Sequence, residues 1–179
     1  MQFENYGPFA MPVDQHGDFT IGDDEASKLF FRELDAKHPG LSEGCGCYIF
    51  AMHTAGGTMP WYVGKADHTR FGTECFNDRN VKTYFNFSRD HKGRPLLYLV
   101  ARMTPTGRFA KPYQNGHPDV DYVEKFLIGA ALARNPRLLN VKNTALFKNL
   151  HVPGFINAVD PSYSPSTESL RKTLGLRDS

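Results

Sequence analysis

Two tripeptides set the chemical question. Gly46-Cys47-Tyr48 and Tyr62-Val63-Gly64 sit in two short apolar runs, with the tyrosines fourteen positions apart. If those runs are paired strands, the alternation of side chains lets Tyr48 and Tyr62 share one face. Gly46 and Gly64 would leave room for a backbone to approach closely. Further on, Arg89, Lys92, Arg94, Arg102, Arg108 and Lys111 crowd around a third apolar run and the loop after it. Phe85, Phe87, Phe109 and Tyr113 interleave with them. Cations pair with phosphates and rings stack on bases, so this mixture suits a nucleic-acid groove. Hydrolysis of a phosphodiester on such a surface would need an oriented water, an acceptor for its proton, and positive charge on the phosphate oxygens.

Each of these residues also has an ordinary structural use. Tyr48 and Tyr62 could be core aromatics on a hairpin, and the cations a solvated rim. Glu124 has the spacing of a capping box with Asp121, in which its carboxylate would reach back to the cap's N–H. Asn140 could be a turn residue, and Lys65, Arg70 and Arg79 surface cations. Cys45 and Cys47 are one residue apart and no second cysteine pair exists, which argues against a zinc knuckle. A buried, reduced Cys47 is the expectation.

The bulk properties fit one decorated domain. The chain has 179 residues, 40% of them hydrophobic, with fourteen Phe and eight Tyr. No apolar run is long enough to span a membrane, and the first residues do not read as a secretory signal. Three cysteines suit a reducing cytoplasm better than a disulfide scaffold. The net charge of +2 hides an asymmetry: residues 1–43 hold nine acids and three bases, whereas residues 44–179 hold eighteen bases and ten acids. A basic body fits a polyanionic partner.

The elements that must position the candidates can be read from periodicity. Residues 1–22 are spotted with Gly and Pro and read as irregular. Residues 23–37 read as an amphipathic helix with Ala26, Leu29, Phe30 and Leu34 inside, capped by Asp23 or Asp24 and stopped at His38-Pro39-Gly40. Strands are predicted over 47–53 and 59–65, joined by a turn at Gly56-Gly57 and paired antiparallel. Short helices follow over 67–76 and 80–89, then a strand over 96–103 and a long loop from Thr104 to Pro118. Residues 121–134 form the best helix, with Val123, Phe126, Leu127, Ala130 and Ala131 on its inner face. Short helices are predicted over 145–150 and 167–174. The order implies an α/β (α+β) fold: a small, mainly antiparallel three-stranded sheet flanked by helices. The domains read as an acidic extension with one helix (1–43), a catalytic domain (44–152), and a tail with a short helix (153–179).

These motifs, in this order and on these elements, resemble the GIY-YIG nuclease family over roughly residues 45–143. Gly46-Cys47-Tyr48 is similar to the family's first tripeptide, with Cys in the middle place. Tyr62-Val63-Gly64-Lys65-Ala66 is similar to the second. Glu124 in a long helix followed by Leu139-Asn140 matches the family's later glutamate and Leu-Asn segment. The resemblance implies Tyr48 as the general base, Tyr62 positioning water or phosphate, Lys65 assisting, and Asn140 shaping the region. It implies that Glu124 holds one divalent ion, Mg²⁺ or Mn²⁺, which accepts a single protein carboxylate and keeps water and phosphate oxygens as its other ligands. The family usually places an arginine about eight positions past the second glycine. Here that position is Gly72, flanked by Arg70 and Arg79, of which Arg70 is favoured. The expected activity is metal-dependent endonucleolytic cleavage, of DNA ahead of RNA. Cutting both strands with one site per chain would need a homodimer or two encounters. The rival expectation is an inactive nucleic-acid-binding module of the same fold.

Overall fold

The computed structural model describes residues 1–16, 19–21, 24–140, 144–149, 152 and 164–175. The fold is α+β, built on one open antiparallel sheet of four strands. These are β1 (Gln2–Ala10), β2 (Gly46–Thr54), β3 (Gly57–Ala66) and β4 (Arg94–Met103), in spatial order β1-β4-β2-β3. The sheet thus has four strands rather than the three expected. The added strand lies where irregular chain was predicted, on the outer side of β4. Its register breaks between Tyr6 and Phe9, at Gly7-Pro8. An edge strand tolerates a proline, because only one side of its backbone pairs.

The helices flank the two faces. Alternation along β2 sends Tyr48, Phe50 and Met52 to one face. There they join the main core with Phe30, Phe31 and Leu34 of α1 (Asp24–Lys37), Phe71 of α2 (Phe71–Glu74), and Tyr84 and Phe87 of α3 (Asp78–Asp90). This core is knit by aromatic contacts, such as Phe50 stacked on Tyr84 at 4.3 Å between centroids. Phe30 and Leu34 are buried as expected, while Leu29 is turned outward, 47% exposed. The opposite face carries α4 (Pro118–Arg134), whose Ile128, Ala131 and Leu132 pack on Val63 of β3 and Ile49 of β2. α5 (Thr144–Asn149) packs against α4, and α6 is Pro165–Thr173. No helix among the described residues is long and apolar enough to cross a membrane.

Several predicted boundaries move. The helix expected over 67–76 is only the single turn α2. The preceding residues are a bend in which Asp67 is 4% exposed and accepts from Lys65. α4 begins at Pro118, which occupies its first turn with His117 as N-cap. Its inner face is therefore Val120, Ile128, Ala131 and Leu132, and Phe126, expected inside, is 74% exposed. The earlier start also removes the capping box: Asp121 lies within the first helical turn and its carboxylate binds Lys65. Glu124 is one turn deeper and is not a cap. The proposed cap Asp23 and most of the 153–179 tail lie outside the described residues.

Candidate functional site

β3 is an edge strand, and that position assembles the site. Side chains from the two faces of the sheet can meet around an open edge. Tyr62 and Gly64 belong to the face covered by α3, whereas Val63 and Lys65 belong to the face covered by α4. A cleft of about 390 Å³ wraps this edge. It is lined by Tyr48, Tyr62, Gly64, Lys65, Arg79, Glu124 and Asn140, together with Asp67, Glu74, Asp121 and Lys125. Seven positions singled out in the sequence thus converge, from β2, β3, α3, α4 and the segment after α4.

The two tyrosines are not equivalent. Tyr48 is opposite Gly64 in the β2–β3 register and only 1% exposed. Its ring lies across the glycine: a Cβ at position 64 would stand 2.3 Å from Tyr48 Cζ. Gly64 therefore makes room for a ring, not for a backbone. Gly46 does admit a backbone, since a Cβ there would meet Val100 O at 2.1 Å, and its φ of +149° also suits glycine. The Tyr48 hydroxyl accepts a hydrogen bond from Asn80 Nδ2 at 2.7 Å. Burial, reinforced by the nearby Tyr84 and Cys75, pushes the Tyr48 phenol far upward, so it stays neutral. Tyr62 is half-buried, with its ring centroid 6.2 Å from that of Tyr48. Burial raises its pKa too, but the Arg79 guanidinium and the adjacent Tyr48 hydroxyl act in the opposite direction, while Glu124 adds to the rise.

The charged residues divide into paired and unpaired groups. Lys65 Nζ is held between Asp67 Oδ2 at 2.9 Å and the Asp121 carboxylate. Burial works to lower the Lys65 pKa, but the hydrogen bonds to Asp121 and Asp67 outweigh it and the net shift is upward. Lys65 is a fixed cation and has no lone pair to act as a base. Glu124 is different. Among the described residues its carboxylate makes no hydrogen bond and no ion pair. Its pKa is raised by burial first, with Lys65 opposing and Asp121 and Asp67 adding to the rise. Arg79 lines the cleft and, among the described residues, also makes no ion pair. The lining carries three cations (Lys65, Arg79, Lys125) against four carboxylates (Asp67, Glu74, Asp121, Glu124), a formal charge of −1.

Asn140 seals the edge of β3. Its Oδ1 accepts from Val63 N–H at 2.9 Å and its Nδ2 donates to Val63 O at 2.6 Å, so one amide replaces a missing strand partner. Asn135 Nδ2 does the same for Pro60 O at 2.8 Å, and Leu139 N–H donates to Trp61 O at 2.8 Å.

The remaining expected residues lie elsewhere. Arg70 is outside the cleft, with Nη1 on the Glu43 carboxylate and Nε on Thr73 Oγ1 at 3.2 Å. None of the six cations proposed for a nucleic-acid groove lines the cleft. Arg89, Lys92 and Arg94 gather where Arg94 opposes His53, at the far end of the strands from Gly46 and Gly64. Arg102 is tied to Asp119 at 2.8 Å and Lys111 approaches Glu43 at 3.8 Å. Arg108 is exposed in the loop after β4. Cys47 is fully buried, as expected, its thiol directed at Val120 O, and burial pushes its pKa upward.

Two residues of consequence were not anticipated. Asn80, 2% exposed, fixes the Tyr48 hydroxyl and also donates to Glu74 O at 2.8 Å. A signal was present: Asn80, Tyr84 and Phe87 recur at helical spacing, which puts a polar group on the inner face of α3. Asp121, joined to Lys65 from 56 residues away, had no local signal. Comparison with family models, with curated proteins and with solved structures returned no match to this chain.

Proposed function

We propose that the cleft along β3 hydrolyses phosphodiester bonds in nucleic acid, DNA ahead of RNA, and that the chain is a GIY-YIG-type endonuclease. The observation that carries this reading is Glu124. A half-buried carboxylate and an arginine, neither with an ion-pair partner among the described residues, line the same cleft as two tyrosines. Leaving a charged group desolvated costs stability, and such groups concentrate where chemistry needs them.

The donor set fits one hard divalent ion. Glu124 supplies an oxygen, while Asp67 and Asp121 are engaged by Lys65. No cluster of three or more His, Cys, Asp or Glu occurs among the described residues, so the other ligands would be water and substrate oxygens. The formal charge of −1 on the lining points the same way, because a phosphodiester would be repelled unless a cation accompanied it. Bound Mg²⁺ or Mn²⁺ would neutralise phosphoryl charge and make nearby water more acidic.

The chain's own groups then divide the work. Tyr62 Oη, on the open side of the pair, takes the hydrogen bond of the attacking water and, when ionised, its proton, as the water oxygen bonds to phosphorus, the P–O bond to one sugar breaks, and the departing sugar oxygen is protonated by solvent water. Arg79 lowers the cost of that ionisation and balances charge on the phosphoryl oxygens. Tyr48, anchored by Asn80, holds Tyr62 from behind. This assignment gives Tyr62 the role that the resemblance assigns to Tyr48, because a fully buried phenol cannot readily reach water or bear charge. Lys65 keeps two carboxylates away from the phosphate path.

The test is cleavage of labelled single- and double-stranded DNA and RNA with Mg²⁺ or Mn²⁺. Wild type should cut, Glu124→Ala and Tyr62→Phe should not, and Tyr48→Phe should retain partial activity. Equal cutting by all four proteins would refute the assignment. Wild type that binds but never cuts would favour the inactive binding module.

A further inference from the structure

Arg70, displaced from the cleft, lies in a second opening. A groove of about 560 Å³ between α1 and the start of α3 is lined by Lys28, Arg70, Thr73, Asn77, Asp78 and Arg79, among others. Arg79 lines both the groove and the cleft, so the two openings are neighbours that share this side chain. Their charges contrast. The cleft lining is formally −1, whereas the groove lining holds three cations (Lys28, Arg70, Arg79) and one carboxylate (Asp78), a formal +2. Two of these cations are paired with carboxylates outside the lining, Lys28 with Glu25 and Arg70 with Glu43, so the groove would attract a polyanion by displacing them.

Arg70 is built to offer donors into this groove. A guanidinium has five N–H donors. Nε is used on Thr73 Oγ1 and one donor of Nη1 on Glu43, which leaves three and fixes the plane of the group. Its side chain is 52% exposed, so those donors meet solvent. The Glu43 pair, and the pair of Lys28 with Glu25, are exposed and exchangeable, each contributing about 0–1 kcal/mol. The Ser27 and Thr73 hydroxyls on the groove wall add neutral hydrogen-bonding groups suited to phosphate and sugar oxygens, while the Asn77 amide is engaged in capping α3 and binding Glu74.

We propose that the Lys28–Arg70 groove carries the sugar-phosphate backbone of a single strand away from the cleft, seating the phosphate next to the one cleaved. This rests on the phosphodiesterase reading and narrows its substrate to a strand of several nucleotides rather than a mononucleotide or small diester. Arg79 spans the two phosphates, and Arg70 holds the second with no part in the chemical step.

The experiment separates binding from cutting. Fluorescein-labelled dT12 is titrated by anisotropy, without divalent ion, at several salt concentrations. The proteins are wild type, Lys28→Ala, Arg70→Gln and the double variant. Hydrolysis of bis(p-nitrophenyl) phosphate with Mn²⁺ is measured in parallel. The double variant should bind dT12 about tenfold more weakly at low salt. Its log–log salt slope should be shallower by roughly one, since each single-strand phosphate contact contributes about 0.7. The rate on the small diester should stay within twofold of wild type. Lys28→Ala, an exposed change on α1, should show a share of the binding loss. Unchanged affinity and slope in the variants, or no dT12 binding by wild type, overturns the groove. An equal loss on the small diester also overturns it, because Arg70 would then act at the reacting centre. Wild type that, once Mn²⁺ is added, cuts neither dT12 nor the small diester, while the variants still lose dT12 affinity, refutes the phosphodiesterase reading and leaves the groove standing.

Discussion

Gly64→Ala is a one-carbon change that should damage stability and activity together. The added Cβ would stand 2.3, 2.4 and 2.7 Å from Tyr48 Cζ, Oη and Cε2. Ordinary carbon–carbon contact needs about 3.5 Å, so the Tyr48 ring must retreat by ~1.2 Å. It has nowhere to go: the residue is 1% exposed and its hydroxyl is held by Asn80 at 2.7 Å. Overpacking of this kind costs about 1–3 kcal/mol, and loss of the Asn80 bond about 1 more. Replacing glycine by alanine returns roughly 0.4–1 kcal/mol by restricting the unfolded chain. The net loss is about 1–3 kcal/mol. With a urea m-value of about 2 kcal/mol/M for a chain of this size, the midpoint should fall by roughly 0.5–1.5 M. A displaced Tyr48 no longer supports Tyr62, and a 1 Å misplacement can cost on the order of 100-fold in rate. Urea denaturation followed by circular dichroism, with cleavage kinetics on the folded protein, reads both effects. In a Tyr48→Ala background the Gly64→Ala penalty should vanish, because the ring it strikes is gone. A Gly64→Ala protein with the wild-type midpoint and rate would refute the contact on which the tyrosine pair depends.

Three further outcomes follow from the same geometry. Glu124→Gln should abolish cleavage without lowering the thermal midpoint, since Glu124 is not a helix cap and, among the described residues, makes no ion pair. Its folded pKa is raised by burial, so ionisation costs stability as pH rises through that value, while ion binding requires the ionised form. In the metal-free protein, the Glu124 carboxyl followed by carbon-13 NMR should therefore titrate above the ordinary glutamate value of about 4.3, and a midpoint at or below it would contradict the burial argument. Arg79→Ala should lower kcat by about 10²–10³ on a small diester, whereas Arg70→Ala should leave it unchanged; the reverse would exchange their places. Asn140→Ala should cost about 1–3 kcal/mol in urea denaturation by leaving the Val63 N–H and C=O without a partner.

The sequence was informative where periodicity is local. The β2–β3 hairpin, β4, α3 and α4 all stand where apolar spacing put them, within a few residues, and the two tyrosines share the face that alternation assigned. β1 was hidden because Gly7 and Pro8 interrupt it, which a strand survives at an edge but not in a sheet interior. The inner face of α4 was misjudged because apolar residues ring the helix, so spacing alone did not single out Ile128 and Leu132 over Phe126. Chain spacing could not distinguish Arg70 from Arg79 either. Both lie near α2 and α3, but only the direction of each side chain decides which reaches the cleft. The same holds for the basic residues around β4, since the strand separates Arg94 from Arg102 along its length and Asp119 captures the latter.

The claim that this cleft hydrolyses phosphodiesters with activated water is tested most directly by cleaving a defined single-stranded DNA in H₂¹⁸O with Mg²⁺ or Mn²⁺ and weighing the products. Wild type is expected to place one ¹⁸O in the new terminal phosphate per cut and none in the new hydroxyl, and Glu124→Ala to give no product. Intact substrate with wild type, or product lacking ¹⁸O, would contradict it.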